Sequence, residues 1–193
     1  GKGIVALGYM EGGFRNMINN KRPVSTPADV QGVKYRVMQN PIYIDMFNSL
    51  GGAAVPMAWG ETFTAVQQGT IDGLEIPLAV IEANKYYEVT KFLSLTNHTY
   101  SMIGLMMSKR ALDKLTPEQR SAVIAAAKAA TIEQRTTAKA DAKGILTKLE
   151  KSGMKVNAIG DVAAFRKGVS SLYEKYRQGG NGSLLELALS ASK

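Results

Sequence analysis

Cysteine is absent from the 193 residues, and histidine and tryptophan occur once each, as His98 and Trp59. Without a thiol there are no disulfides and no thiolate metal sites. One imidazole leaves His-based metal sites and Ser–His catalysis without support. Long apolar runs are missing too: nothing approaches the roughly 18 residues needed to span a bilayer. The longest candidate, 100–107, is strand-length. The start has no initiating Met and no basic-then-apolar leader. It runs from Gly1 directly into Ile4-Val5-Ala6-Leu7, which reads as a buried strand and suggests that a preceding part has been lost.

What is present is ordinary for a globular protein, with 45% hydrophobic and 21% charged residues. The length suffices for one large domain or two small lobes with a real core. The formal charge of +8, from 24 Lys+Arg against 16 Asp+Glu, favours anionic partners such as small acids, acidic lipids or nucleic acid. No basic run exceeds two residues and aromatics do not interleave with basics, which argues against nucleic acid.

Short apolar runs alternate with helical patterns through the first half, the signature of βαβ units and a parallel or mixed sheet. Residues 33–38 read as a strand, with Lys34, Arg36 and Met38 on one face and Val33, Tyr35 and Val37 on the other. Pro41 suits the first turn of a helix that Gly51-Gly52 ends. Further strands are expected at 53–58, 71–77, 92–100 and 102–108, and helices at 61–68 and 78–89.

The second half is different. Thr116-Pro117-Glu118-Gln119 is a capping-box helix start, and helical composition continues to Ser152-Gly153 with only Gly144 interrupting. Such a helix is about 54 Å long, against a radius of gyration of about 16 Å for a compact domain of this size. Its middle, 133–143, has no large apolar residue and no heptad seam is sustained, so a strut between two lobes fits better than a coiled-coil partner helix. A strand at 155–159, an amphipathic helix at 162–176 and a last helix at 184–189 follow.

Three segments carry a resemblance. The first is Gly13-Phe14-Arg15-Asn16 with Thr26-Pro27-Ala28-Asp29 and Gly32-Val33-Lys34-Tyr35-Arg36-Val37. The second is Pro56-Met57-Ala58-Trp59-Gly60-Glu61, leading through Ala65-Val66-Gln67-Gln68-Gly69 to Asp72-Gly73. The third is Lys85-Tyr86-Tyr87-Glu88-Val89, then Leu95-Thr96-Asn97-His98. In this order, with a long helix after them, they resemble the carboxy-terminal two-thirds of the solute-binding proteins of TRAP (tripartite ATP-independent periplasmic) transporters, the DctP-like family.

That resemblance implies an α/β, two-lobe periplasmic-binding-protein fold with a long bridging helix, the amino-terminal lobe largely missing. Residues 13–100 would form most of the carboxy-terminal lobe. Residues 101–141 would return to the amino-terminal lobe and start the bridging helix. Residues 142–193 would complete that helix and add the last strand and helices. It also implies a periplasmic protein that binds a small organic acid and delivers it to a membrane permease. Arg36 matches the arginine that clamps the ligand carboxylate; a planar guanidinium offers two parallel donors at any pH. Arg15 matches a second arginine near the ligand, Trp59 the aromatic that lines the pocket, and Gln39 a frequent polar contact. After Asp72-Gly73 many members have Gln-Glu-Asn-Pro; here Leu74-Glu75-Ile76-Pro77 stands, so Ile76 replaces a donor and the ligand is expected to be less hydroxylated than a sugar acid. Glu75 reads as structural, since a free carboxylate would repel an anionic ligand.

Other chemistry finds little support. No Gly-x-Ser-x-Gly elbow, P-loop or HExxH occurs, Gly1-Lys2-Gly3 is too slight for a phosphate loop, and His98 reads as structural. No catalytic residue, metal ligand or cofactor is expected. The alternative is a non-enzymatic interaction protein that docks a partner on its long helix. A lobe lacking its partner strands would also expose sheet edges and self-associate.

Overall fold

The apolar stretch at the start of the chain runs on well past Leu7. In the computed structural model, which describes residues 2–180 and 182–191, Ile4–Asn19 form one continuous strand, β1. Gly1 of the Gly1-Lys2-Gly3 stretch, and Asn181, Ser192 and Lys193 of the 142–193 segment, lie outside the described residues. β1 pairs antiparallel with β4 (Gly73–Pro77) at its end and with β5 (Phe92–Ser108) along most of its length. β2 (Lys34–Val37) lies parallel to β4 on one side and to β3 (Ala53–Pro56) on the other. β6 (Lys155–Ala158) runs parallel to the start of β5. The six form one mixed sheet, ordered β3-β2-β4-β1-β5-β6.

Each face of the sheet has its own apolar cluster. Met17, Val33, Tyr35 and Val37 pack on Phe47 of α1 (Pro41–Ser49). On the other face Ile18, Leu74, Ile76 and Leu93 meet Val66 of α2 (Trp59–Gln67), Ile81 of α3 (Leu78–Ala83) and Leu149 of α5 (Pro117–Lys151). Burying each such Leu, Ile or Phe contributes about 1.5–3 kcal/mol. The alternation read in 33–38 therefore holds, with Arg36 opposite Tyr35 and Val37. α1 starts as its sequence predicts: Asn40 Oδ1 accepts the Ile42 N–H at 2.9 Å, and Pro41 fills the first turn. The capping box of Thr116 and Gln119 opens α5, a helix of 35 residues in which only Ala127 and Leu149 are buried.

Several boundaries differ from the sequence reading. Ile4 was expected in a buried strand and is 62% exposed. The reason is register: β4 reaches β1 only as far as Arg15, and β6 reaches β5 only as far as Leu95. Beyond those points β1 and β5 continue as a two-stranded ribbon with both outer edges unpaired by other described strands. The strands expected at 92–100 and 102–108 are one, β5. The helix expected over 78–89 ends at Ala83, because Lys85 adopts a left-handed conformation (φ 54°) before a short 3-10 turn at Tyr86–Glu88. A short α4 (Lys109–Asp113) precedes α5, and the helix expected over 162–176 is two, α6 (Val162–Gly168) and α7 (Ser170–Arg177). α8 (Gly182–Ala191) comes last.

Candidate functional site

β3, β2 and β4 run parallel, so their carboxyl ends share one edge of the sheet. In open α/β sheets this is the edge that holds ligands. Gln39, Trp59 and Ile76 all lie at or just past it.

Arg36 is the penultimate residue of β2, flanked across the ladders by Val55 and Leu74. Only 5% of it is exposed. Nε and Nη2 donate to the Met57 carbonyl at 3.0 and 2.8 Å, and the guanidinium carbon lies 5.6 Å from the Trp59 ring centre. Among the described residues no carboxylate pairs with it and Nη1 has no acceptor. The outer fork, Nη1 with the second hydrogen of Nη2, is therefore open. Burial pulls its pKa down, opposed by the Glu75 charge, yet a guanidinium keeps its proton at any ordinary pH. A largely buried cation whose neighbours are a carbonyl and a ring face lacks its anion.

Trp59 is the first residue of α2 and is 42% exposed, so it is not a core residue. One side of it meets Tyr86 at a ring-centre distance of 5.7 Å. Gln39 is exposed and makes no hydrogen bond to a described residue. Ile76 packs into the apolar cluster with Leu74 and Ile18 and is 2% exposed.

Arg15 finds its partners within the protein. It is a buried strand residue whose Nε and Nη2 grip the Glu75 carboxylate, with Nη2–Oε1 at 2.7 Å. Nη2 also donates to the Glu75 carbonyl at 2.6 Å, and Nη1 reaches Ser101 Oγ at 3.4 Å. His98 completes the cluster: Nε2 lies 3.2 Å from Glu75 Oε2 and Nδ1 2.7 Å from Thr96 Oγ1. Glu75 Oε2 is an acceptor, so Nε2 carries the proton toward it. Burial would raise the pKa of Glu75, but hydrogen bonds from His98 and Arg15 hold it below the ordinary carboxylate range. Every nitrogen of Arg15 thus has a protein partner, and Glu75 is fully buried between Arg15 and His98. The sequence offered no signal for this pairing, since Arg15 and Glu75 stand sixty positions apart. It also missed Tyr86, whose ring packs behind Trp59.

A separate cleft of about 560 Å³ lies between α5 and the crossing of β1 and β5, bordered by Phe14, Tyr100, Arg135 and Lys139. Arg36, Arg15, Trp59, Gln39 and Ile76 do not line it. Among the described residues no group of three or more His, Asp or Glu could hold a metal, and no helix is long and apolar enough to cross a membrane.

Comparison with known proteins agrees with this architecture. The family described as DctP, bacterial extracellular solute-binding protein, family 7, matches residues 1–179. A solute-binding protein of Verminephrobacter eiseniae is 39% identical over 192 residues, which are 99% of this chain and 57% of the relative. The TRAP periplasmic solute-binding protein of Sulfitobacter sp. NAS-14.1, solved with bound β-D-galacturonate, superposes with a TM-score of 0.92 at 39% identity, covering 96% of this chain and 63% of that one. That of Polaromonas sp. JS666, bound to D-erythronate, gives 0.91 at 39% identity, covering 96% and 61%. This chain spans less than two thirds of each of these proteins. Matched over nearly its whole length in sequence and in fold, the chain belongs to the bacterial extracellular solute-binding protein family 7, the family of the TRAP transporter solute-binding proteins.

Proposed function

We propose that this chain forms the arginine-bearing wall of a periplasmic TRAP solute-binding subunit, which captures a small organic acid on Arg36 and delivers it to a membrane permease. The observation that carries this reading is the open outer fork of a guanidinium that is 5% exposed and paired with no carboxylate among the described residues. A ligand carboxylate supplies the missing charge with two parallel hydrogen bonds. Trp59 shields that contact from water, and Gln39 stands at the rim for a polar group. Arg15 serves the site indirectly, by holding the end of β4 through Glu75. Residues 13–100 act as one lobe, and the segments from 101 onward, α5 included, as the connection to a second lobe that closes over the ligand.

The relatives solved with galacturonate and erythronate support a carboxylate ligand. Ile76 supplies no donor at its position, so we favour a branched or otherwise weakly hydroxylated acid over a sugar acid. A thermal-shift panel holding both kinds, with Arg36→Ala alongside, tests the reading. An acid at 100 times its Kd stabilises by about 2.7 kcal/mol, which raises Tm by about 5–11 °C. The shift should vanish in Arg36→Ala. A shift that survives the substitution removes Arg36 from the site, and a sugar acid that binds tightest overturns the preference for an apolar body.

A further inference from the structure

Tyr86 sits in the 3-10 turn just after the left-handed Lys85. Its ring belongs to the core: 1% of the residue is exposed, and Trp59 and Phe63 pack on it at 5.7 and 5.4 Å between ring centres. Its hydroxyl does not. Oη has no hydrogen-bond partner among the described residues, where no fully buried side-chain polar atom lacks one, so it opens to the surface. A tyrosine sunk this deep normally satisfies its O–H within the protein.

The one charged group acting on the Tyr86 hydroxyl is Arg36, which also lies over the Trp59 ring that Tyr86 packs behind. Arg36, Trp59 and Tyr86 therefore share one corner. Burial pushes the hydroxyl up to about 12, against a smaller opposing effect of Arg36, so it remains a donor at neutral pH. Two donors without an acceptor among the described residues, the phenol O–H and the outer fork of the guanidinium, thus belong to residues that both pack on the Trp59 ring.

Building on the proposed function, we infer that Tyr86 is a ligand-contacting residue: Oη–H donates to one oxygen of the carboxylate that Arg36 holds. This contact is independent of the donor that Ile76 cannot supply. It also gives the site a preference for a flat anionic oxygen pair over a neutral amide, whose N–H₂ would meet a second donor.

The test is Tyr86→Phe, which keeps the ring packing and removes one oxygen. Calorimetric titrations would use D-erythronate, D-galacturonate and 3-methyl-2-oxobutanoate against wild type, Tyr86→Phe and Arg36→Ala. For each acid that binds wild type, Tyr86→Phe should raise Kd by about 10-fold or more, as loss of a charge-assisted hydrogen bond implies. The Tm of the unliganded variant should stay within about 2 °C of wild type. A Kd changed by less than about two-fold, beside full loss in Arg36→Ala, removes Tyr86 and leaves the Arg36 site standing. A large drop in unliganded Tm makes the hydroxyl structural and overturns the inference. No binding of any of these acids by wild type takes down the site and the inference together.

Discussion

Arg15 and Arg36 are both strand arginines, both almost buried, yet their partners assign them different work. Arg15 is saturated by Glu75, which His98 also approaches, while Arg36 has only a carbonyl and a ring face. Removing one member of a buried ion pair costs about 3–5 kcal/mol, because the remaining charge is left without compensation. Arg15→Ala should therefore lower the unfolding free energy by about that much in urea titrations, whereas Arg36→Ala should cost far less and mainly abolish binding. The pH dependence has a definite sign. The carboxylate of Glu75 is held below its ordinary range in the fold, so its contribution is complete above the unfolded value of about 4.3. It is lost as pH falls below that value and through the lowered folded one. Stability curves of wild type and Glu75→Gln should differ most at neutral pH and converge under acid. A constant gap down to the acid limit would rule this out.

Elements here are punctuated by backbone conformations that apolar periodicity cannot see. Residues 78–89 keep a helical pattern, but Lys85 in the left-handed region turns the chain and drops Tyr86 behind Trp59. Asn97 is left-handed too (φ 44°), and its N–H is taken by Asn16 Oδ1 at 3.1 Å where the pairing of β1 and β5 shifts register. Asparagine tolerates that conformation better than most residues. α5 crosses β1 at Gly8, where an added Cβ would run into Thr131 Oγ1. Gly8→Ala should destabilise by about 1–3 kcal/mol, as overpacking does. Thr131→Ala combined with it should recover part of that loss, and strict additivity of the two in thermal denaturation would deny the contact.

At the scale of the whole molecule, the sheet is closed on both faces around 15–19, but the ribbon beyond it is not. Ile4, Met102, Ile103 and Met106 are exposed, Met102 by 61%, beside strand edges that no described strand covers. Open edges with apolar faces recruit other chains. The 193-residue chain alone should therefore dimerise or form larger species in multi-angle light scattering, and Met102→Lys with Met106→Lys should shift it toward monomer. A monodisperse wild-type monomer would count against this. The long helix offers no comparable surface: Ile124 and Ile132 are exposed, but α5 has no apolar stripe for a partner.

The sequence by itself determined the class of fold and the family. Period-two and βαβ patterns, the caps at Asn40 and Thr116, and the ordered motifs are local, and local chemistry is legible one segment at a time. It also made Arg36 a candidate, since a guanidinium at the end of a strand beside Pro56–Trp59 is written in the residues. What only the tertiary structure decided was pairing across distance: Glu75 against Arg15, Ile76 within the apolar cluster, Tyr86 behind Trp59, and one sixteen-residue β1 reaching past its neighbours. Those outcomes depend on register between strands far apart in the chain. A shift of a single residue moves every side chain to the opposite face, and no spacing within either strand alone records which register is chosen.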